Sequence, residues 1–249
     1  EVEFRRGVRG ACFLDHRGRI VTDAILWKFG GGGDASSSSS SDPDADAAPD
    51  PEEYLIDVPG DAADLLLAHL KKYKLRKSGV TIVDRSEEVG VHCVYGTLNA
   101  GGTPEGYAAA IDPRHPSLGM RVLSLTPSST LAFADLMSGM FPPAPRSYDV
   151  VRKLAGLAEG TELSGRTALE CNQEFMGGVS FRKGCYLGQE LTARSHHTGA
   201  VRKRVLPILL SPTEVEVPRP WTIADMIQGM MAAAGDADRA EGGGGGGGD

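Results

Sequence analysis

The residues best suited to chemistry lie in one short stretch, RKGCYLGQE, at residues 182–190. Cys185 is its only thiol, and Gly184 and Gly188 lie on either side of it. Glycine lets a backbone turn sharply or lets another molecule approach closely. Arg182 and Lys183 lie just before Gly184 and this cysteine, and a nearby cation favours the thiolate, the form that attacks electrophiles and binds metals. The stretch therefore predicts a reactive or metal-binding thiol.

Three interpretations of Cys185 remain open at this point. It can be a small structural residue in a turn, because free cysteines are often simply buried. It can be a nucleophile, for which His196 or His197 would have to serve as the base. It can also ligate a metal or a cluster, and a [2Fe–2S] cluster normally takes four thiolates. The chain has four cysteines in total, scattered and without a C-x-x-C pair, so the other ligands would come from a partner chain.

A second group of polar residues lies just upstream, in TALECNQEFMGGVSF at residues 167–181. Glu170, Asn172 and Gln173 lie there between apolar residues. A partly buried carboxylate that faces a pocket can bind the amidine-like edge of a pterin through two hydrogen bonds. The alternative for Glu170 is a helix cap or a salt bridge at the surface.

Helices are predicted on both sides of the chain's centre. GQELTAR, after Cys185, has helix-compatible composition and would place the thiol near a helix N-terminus, which favours its anion. The strongest helix pattern covers residues 60–79, with Asp61 as its predicted cap and leucines at helical spacing. Its basic end, at residues 71–77, is either a solvated helix end or a site for an anionic ligand.

Strand patterns account for much of the remaining chain. Residues 10–30 predict a hairpin around the turn DHRG, and further strands are predicted at residues 54–59, 80–84, 89–95 and 120–125. A short amphipathic helix is predicted at residues 147–160, and a Met-rich helix is possible after Pro218. Paired strands with helices between them predict the α+β class, with antiparallel sheets and packed helices.

The amino-acid composition argues against several classes of protein. Seven acidic residues and no Lys or Arg lie in the low-complexity segment 30–53, which we expect to be a disordered insert. The other 26 acidic residues balance the 26 Lys and Arg, so no overall field favours nucleic acid. No apolar run reaches the ~20 residues of a membrane helix, so we expect no membrane insertion. Few, scattered cysteines predict reduced thiols rather than a disulfide framework.

LECNQEFMGGVSFRKGCYLGQELTARSHHTGAVRKR resembles the signature of the mitochondrial iron–sulfur cluster assembly factors. These proteins are of the folate-binding YgfZ type, within the superfamily of the glycine-cleavage T-protein, an aminomethyltransferase. FLDHRGRIVTDAIL, HLKKYKLRK and DPRHPSLGMRVL extend the resemblance over most of residues 10–210. It implies a tetrahydrofolate-binding, aminomethyltransferase-like domain with a central cavity.

The resemblance also implies roles for particular residues. Cys185 looks like the signature cysteine, which helps to hold a bridging [2Fe–2S] cluster shared with an A-type carrier during late maturation of [4Fe–4S] proteins in the mitochondrial matrix. Glu170, with Asn172 beside it, looks like the pterin-facing carboxylate of folate-binding relatives. In the signature loop, Lys183 would stabilise the thiolate, Gly184 and Gly188 would allow close approach, and Gln189 and Glu190 would orient the loop beside Tyr186.

The chain departs from the family pattern at both ends. It starts almost at the predicted hairpin, residues 1–29, and no transit peptide is visible. Residues 54–211 carry the rest of the folate-binding-like domain, and the atypical Gly-rich tail, residues 212–249, stands where the family has a C-terminal β-barrel. We therefore expect a shortened form without the barrel. A folate-dependent aminomethyl transferase and a non-functional truncated isoform are the alternatives to an assembly factor.

Overall fold

The computed structural model describes residues 7–29, 53–94, 105–140, 147–197 and 199–208. These ranges contain six strands and four α-helices in mixed order, which confirms the α+β class. Within them, no helix is long and apolar enough to cross a membrane. The predicted insert, apart from Glu53, and the tail after Ser211 lie outside the described residues, and the expectation about the barrel lies there too.

The first sheet is antiparallel, in the order β1 (Val8–Leu14), β2 (Ile20–Phe29) and β3 (Glu53–Asp57). The predicted hairpin is confirmed, because β1 and β2 pair around the turn after Leu14. The predicted strand at residues 54–59 is also confirmed, and β3 pairs directly with β2. Residues 30–52 thus connect two neighbouring antiparallel strands, the place expected for an insert in a hairpin loop.

The second sheet is antiparallel too, with β6 (Met120–Ser124) between β4 (Gly90–Val94) and β5 (Tyr107–Ile111). The strand predicted at residues 80–84 is wrong, since no strand forms between residues 58 and 89. Val80 and Val83 are exposed, so this segment has no buried face for a sheet to cover. The side chain of Asp84 instead accepts a hydrogen bond from Ser86 N at 2.9 Å, a local turn that competes with strand pairing.

The two sheets contact each other through an apolar cluster at one end. Ile25 and Trp27 lie two residues apart on β2, so their side chains point from the same face of the sheet. Both are buried with Leu123 of β6, and Leu55 and Ala108 pack against this cluster. Burial of these apolar side chains away from water helps to hold the two sheets together.

Buried charges form the other part of the contact between the sheets. Arg114 donates from Nε and Nη2 to the two oxygens of Asp112 at 2.9 and 2.7 Å, and from Nη1 to Asp23 Oδ2 at 3.4 Å. The same guanidinium contacts Glu159 and donates to Tyr148 Oη at 2.9 Å. The four partners of Arg114 come from different segments of the chain, so a single arginine ties these segments together.

Arg121 of β6 extends this ionic cluster to the edge of the first sheet. Its Nε lies 3.2 Å from Asp57 Oδ2, at the end of β3. Its Nη1 donates to Cys93 Sγ on β4 at 2.8 Å. The ionic cluster therefore links β3 to both β4 and β6.

The helices predicted at residues 60–79 and 147–160 form but are shorter than predicted. α1 (Ala63–Tyr73) packs Leu66 into the core beside β2, and the chain becomes extended at Lys74, so the helix predicted to Gly79 ends six residues earlier. Asp61 does not cap it, since its carboxylate accepts hydrogen bonds from Thr161 instead. α2 (Pro127–Met140) and α3 (Ser147–Leu154) precede α4 (Gln189–His197), which confirms the helix predicted after Cys185.

Asp23 is expected to make stability fall as the pH rises. Burial, opposed by the Gly160 N–H and Arg114, raises the pKa of this carboxyl to about 6. Its contribution to stability is therefore fully present below the ordinary carboxyl pKa and is lost as the pH rises through about 6. We expect Asp23→Asn to remove about 2 kcal/mol of the decline in unfolding free energy between pH 4 and pH 7.

Urea unfolding at the two pH values measures this difference. Asp64→Asn, at an exposed position of α1, is the matched control and should keep the full decline. An unchanged pH dependence in Asp23→Asn would show that Asp23 does not titrate in this range.

Candidate functional site

The loop that carries Cys185 is anchored on the turn between β1 and β2. Gly188 has φ 77° and Gly18 has φ 78°, a left-handed conformation that favours glycine. A Cβ on Gly188 would lie 2.8 Å from Gly18 Cα and closer still to Asp15 O, and a Cβ on Gly18 would lie 2.6 Å from Gly188 O. The two glycines thus let the backbones of loop and turn touch.

The turn beneath the loop is itself well fixed. Asp15 Oδ1 accepts hydrogen bonds from the backbone N–H groups of Arg17 at 2.9 Å and Arg19 at 2.8 Å. The Asp15 N–H donates to the Arg19 carbonyl at 2.8 Å. An aspartate that binds its own backbone in this way stabilises a tight turn. The loop therefore lies on a firm support.

Within the loop, Gln189 and Tyr186 form a pair of hydrogen bonds. Gln189 Oε1 accepts from the Tyr186 N–H, and the Gln189 N–H donates to the Tyr186 carbonyl, both at 3.2 Å. The Tyr186 ring packs against a core cluster that includes Leu14. Lys183 Nζ lies 4.6 Å from the centre of this ring, a cation–π distance, so its observed contact is the tyrosine. Glu190 is exposed on the first turn of α4.

Cys185 is exposed at this loop, unlike the other three thiols. Burial raises the pKa of Cys171 to about 11, and burial also raises the pKa of Cys12. Burial likewise raises the pKa of Cys93, although the guanidinium of Arg121 beside it acts in the opposite direction. A thiol of raised pKa stays protonated at neutral pH and is a poor nucleophile and metal ligand.

Gly184 differs from Gly188 in its surroundings. A Cβ built on Gly184 would have no atom within 4 Å, and its φ is outside the left-handed region. The contacts described for this loop therefore do not require glycine at position 184. The open space beside Cys185 leaves room for another molecule.

The histidines considered as bases make aromatic contacts. The His196 ring stacks on Phe181 with centroids 3.7 Å apart, and the His197 ring meets it edge-on at 4.8 Å. These contacts hold the C-terminal part of α4 against the start of the loop. In the described part of the chain, no group of three or more His, Cys, Asp or Glu side chains could hold a metal ion.

Glu170 and Asn172 have local structural partners. Glu170 Oε2 accepts from the Thr167 N–H at 3.0 Å, a hydrogen bond that lowers the pKa of this carboxyl. Asn172, with φ 58°, donates from Nδ2 to the Val205 carbonyl at 2.8 Å and accepts from Arg204 at 3.0 Å. Glu170 thus stabilises the turn at residues 167–172, and Asn172 holds residues 204–205 against this turn.

A cavity of about 690 Å³ lies along β1 and reaches the signature loop. Its walls carry three basic side chains, Arg9, His69 and Lys183, and no carboxylate. Most of the remaining lining is apolar or glycine, and it includes Cys12, Tyr186 and Leu187. The volume lies within the range of ligand sites, roughly 300–1,000 Å³. This cavity suits a partly apolar ligand with a negative charge.

The structure brings only some of the predicted site residues to this cavity. Lys183 and Tyr186 line it, but Cys185, Glu170 and Asn172 do not. His69 of α1 lines the cavity, whereas the basic residues at positions 71–77 do not. Burial, followed by the nearby Lys72, lowers the pKa of His69. Neither Arg9 nor His69 was among the predicted site residues. In the sequence, His69 follows Leu66 by one helical turn, and this spacing indicates that both lie on the helix face that points toward the core.

Native-state thiol labelling is expected to find one fast cysteine among four. An aromatic disulfide reagent should react with Cys185 about 100-fold faster than with the three other thiols, because Cys185 is exposed and burial raises the pKa of the others. Stopped-flow absorbance measures the rates, and Cys185→Ser should remove the fast phase. A fast phase that persists in this variant would contradict the described exposure.

Comparison with known proteins supplies the family. No protein-family model matches the chain. A protein of Neurospora crassa named "Iron-sulfur cluster assembly factor IBA57 homolog, mitochondrial" is 38% identical over 211 residues, covering 80% of this chain and 44% of the relative. The chain belongs to the family of mitochondrial iron–sulfur cluster assembly factors. The resemblance noted from the signature is confirmed.

Two further relatives carry the same name. The one in Coccidioides immitis is 39% identical over 183 residues, covering 67% of this chain and 41% of the relative. The one in Dictyostelium discoideum is 32% identical over 177 residues, covering 66% and 43%. The mitochondrial localisation expected for this assembly-factor family is confirmed by these names. The chain spans less than half the length of the relatives it matches.

Proposed function

We propose that this chain acts as an iron–sulfur cluster assembly factor late in the maturation of [4Fe–4S] proteins in the mitochondrial matrix. Cys185 contributes its thiolate to a [2Fe–2S] cluster that is shared with an A-type carrier, and the cluster is the cargo of the reaction. The names of the relatives support the assembly role.

The observation that carries this proposal is the presentation of Cys185. The thiol is exposed, yet its loop is fixed by Gly188 against the turn after β1 and by Gln189 against Tyr186. A ligand on a fixed loop loses little conformational entropy when a complex forms. The open space at Gly184 lets the carrier approach the sulfur.

The ligand count explains why a partner takes part. A [2Fe–2S] cluster normally has four protein ligands. Cys12 and Cys171 belong to one core cluster, and Cys93 lies on β4 in contact with Arg121. Cys185 is therefore offered alone, and the carrier provides the remaining ligands.

Reconstitution of the complex tests this proposal. The chain and an A-type carrier are mixed with iron and sulfide, and the visible absorbance of the isolated complex is compared with that of the carrier alone. We expect Cys185→Ser to abolish the absorbance that depends on the chain, and the matched control Cys93→Ser to retain it. Normal absorbance in Cys185→Ser would remove the ligand role.

We also propose that the domain has the tetrahydrofolate-binding, aminomethyltransferase-like fold, and that tetrahydrofolate binds in the cavity beside β1. Its size and its basic residues Arg9 and Lys183 suit an aromatic ligand with an anionic tail. Glu170 and Asn172 do not fit the role of pterin anchors, since neither lines the cavity. Calorimetric titration with tetrahydrofolate should give heat that Arg9→Gln weakens, and no heat would refute this part.

A further inference from the structure

A strongly basic surface follows the cavity-lining part of α1. Residues 71–83 contain five cations and no acidic residue, although the whole chain has a net charge of −7. All residues from 71 to 84 except Ile82 are exposed, so the segment protrudes from the domain. We call residues 71–83 the basic protrusion; its cations are Lys71, Lys72, Lys74, Arg76 and Lys77.

Large apolar side chains lie among these cations. Leu75 is 74% exposed, Val83 68% and Val80 53%, and Tyr73 is also exposed. Apolar surface left in water costs free energy that binding recovers, and contiguous exposed apolar residues mark interaction surfaces. The combination of clustered cations with exposed apolar tips distinguishes this segment from a merely solvated helix end.

The protrusion has a defined conformation. The N–H and Oγ of Ser78 both donate to the Leu75 carbonyl, at 3.1 and 2.8 Å, which closes a turn after α1. Lys72 Nζ lies 5.3 Å from the centre of the Tyr73 ring. Beyond the protrusion, Asp84 accepts hydrogen bonds from Ser86, so this following carboxylate is turned onto its own chain. Asp84 is also attracted electrostatically to Lys71. Within the protrusion itself, no acidic residue lies among the five cations.

We propose that the basic protrusion docks the protein on the surface of an anionic lipid bilayer. Clusters of Lys and Arg are attracted to anionic head groups, and exposed Leu, Val and Tyr side chains enter the interfacial layer. A protein partner would be anchored mainly by side chains that fill pockets. The cavity beside β1 has no lining residue in the protrusion, and neither has a smaller cavity of about 240 Å³ between β2 and β5. A protruding surface suits a bilayer.

The basic protrusion also lies close to the cavity beside β1. His69 lines the cavity and contacts Tyr73 with ring centroids 4.8 Å apart. The basic protrusion thus begins two residues after a side chain of the cavity wall. When the protein docks on a bilayer, this cavity wall would therefore lie near the lipid head groups.

Vesicle co-sedimentation of the whole chain tests the proposal. We expect binding to phosphatidylcholine vesicles that contain phosphatidylglycerol, no binding to phosphatidylcholine alone, and loss of binding at high salt. Lys74→Gln with Arg76→Gln should lower the partition coefficient about 25-fold, or about fivefold for each cation. Leu75→Ser with Val83→Ser should weaken binding without changing its dependence on salt.

The matched control removes two exposed cations elsewhere, Arg202→Gln with Lys203→Gln, and should retain binding. Thermal unfolding of each variant verifies the fold. Equal binding to both vesicle types, or an equal loss in the control pair, would overturn the proposal. Binding to polyglutamate without binding to vesicles would also overturn it, in favour of an acidic protein partner.

Discussion

Replacement of Arg114 by methionine is expected to lower the free energy of unfolding by about 3–5 kcal/mol, because it removes the cation that three buried carboxylates share. Asp112, Asp23 and Glu159 all contact this guanidinium, and all are buried. Methionine fills a similar volume, so the loss reports the charge rather than a cavity. Urea unfolding, followed by the fluorescence of the buried Trp27, measures the change.

The control for this variant is Arg166→Met, at an exposed position, which should change stability by less than about 0.5 kcal/mol. Adding Glu159→Gln to Arg114→Met removes one of the stranded charges. The double variant should therefore be less destabilised than the sum of the two single variants. Simple additivity would show that Arg114 and Glu159 do not interact.

The second large effect is expected from Gly188→Ala. The left-handed backbone alone costs an alanine about 1–2 kcal/mol, and the added Cβ would overlap backbone atoms of the turn. Overpacking of this kind adds about 1–3 kcal/mol, so we expect a total loss of about 2–5 kcal/mol or a displaced loop. Unfolding curves and the labelling rate of Cys185 distinguish the two results.

Gly184→Ala is the control in the same loop. Its Cβ would have no atom within 4 Å, so stability should change by less than about 0.5 kcal/mol. If Gly184→Ala were as damaging as Gly188→Ala, the loop would not have the described conformation. If both were harmless, the contact between loop and turn would not support the loop.

Local patterns predicted the elements that depend on local information. The hairpin after Val8 follows from two β-rich runs around DHRG, and α4 follows from the composition after Cys185. The strand expected at residues 80–84 failed because β-branched composition cannot tell whether a sheet neighbour is available. The helix at residues 60–79 was too long because charged residues continue its pattern without a buried face.

Long-range contacts could not be read from the sequence. Gly18 and Gly188 look like two independent turn glycines, and only the fold shows that they touch each other. Asp23 and Arg114 look like ordinary solvent-facing residues, because strand alternation does not reveal that charges are buried together. The loop residues around Cys185 could be predicted as a unit, whereas the cavity wall could not, since its residues come from several elements.

Alkylation of the reconstituted complex is the most direct test of the central claim, that Cys185 is a cluster ligand. Mass spectrometry would measure iodoacetamide labelling of Cys185 in the complex with an A-type carrier, before and after a chelator removes the cluster. We expect Cys185 to be protected while the cluster is bound and to be labelled once it is removed, with the buried Cys171 unlabelled in both states. Equal labelling of Cys185 with and without the cluster would contradict the proposal.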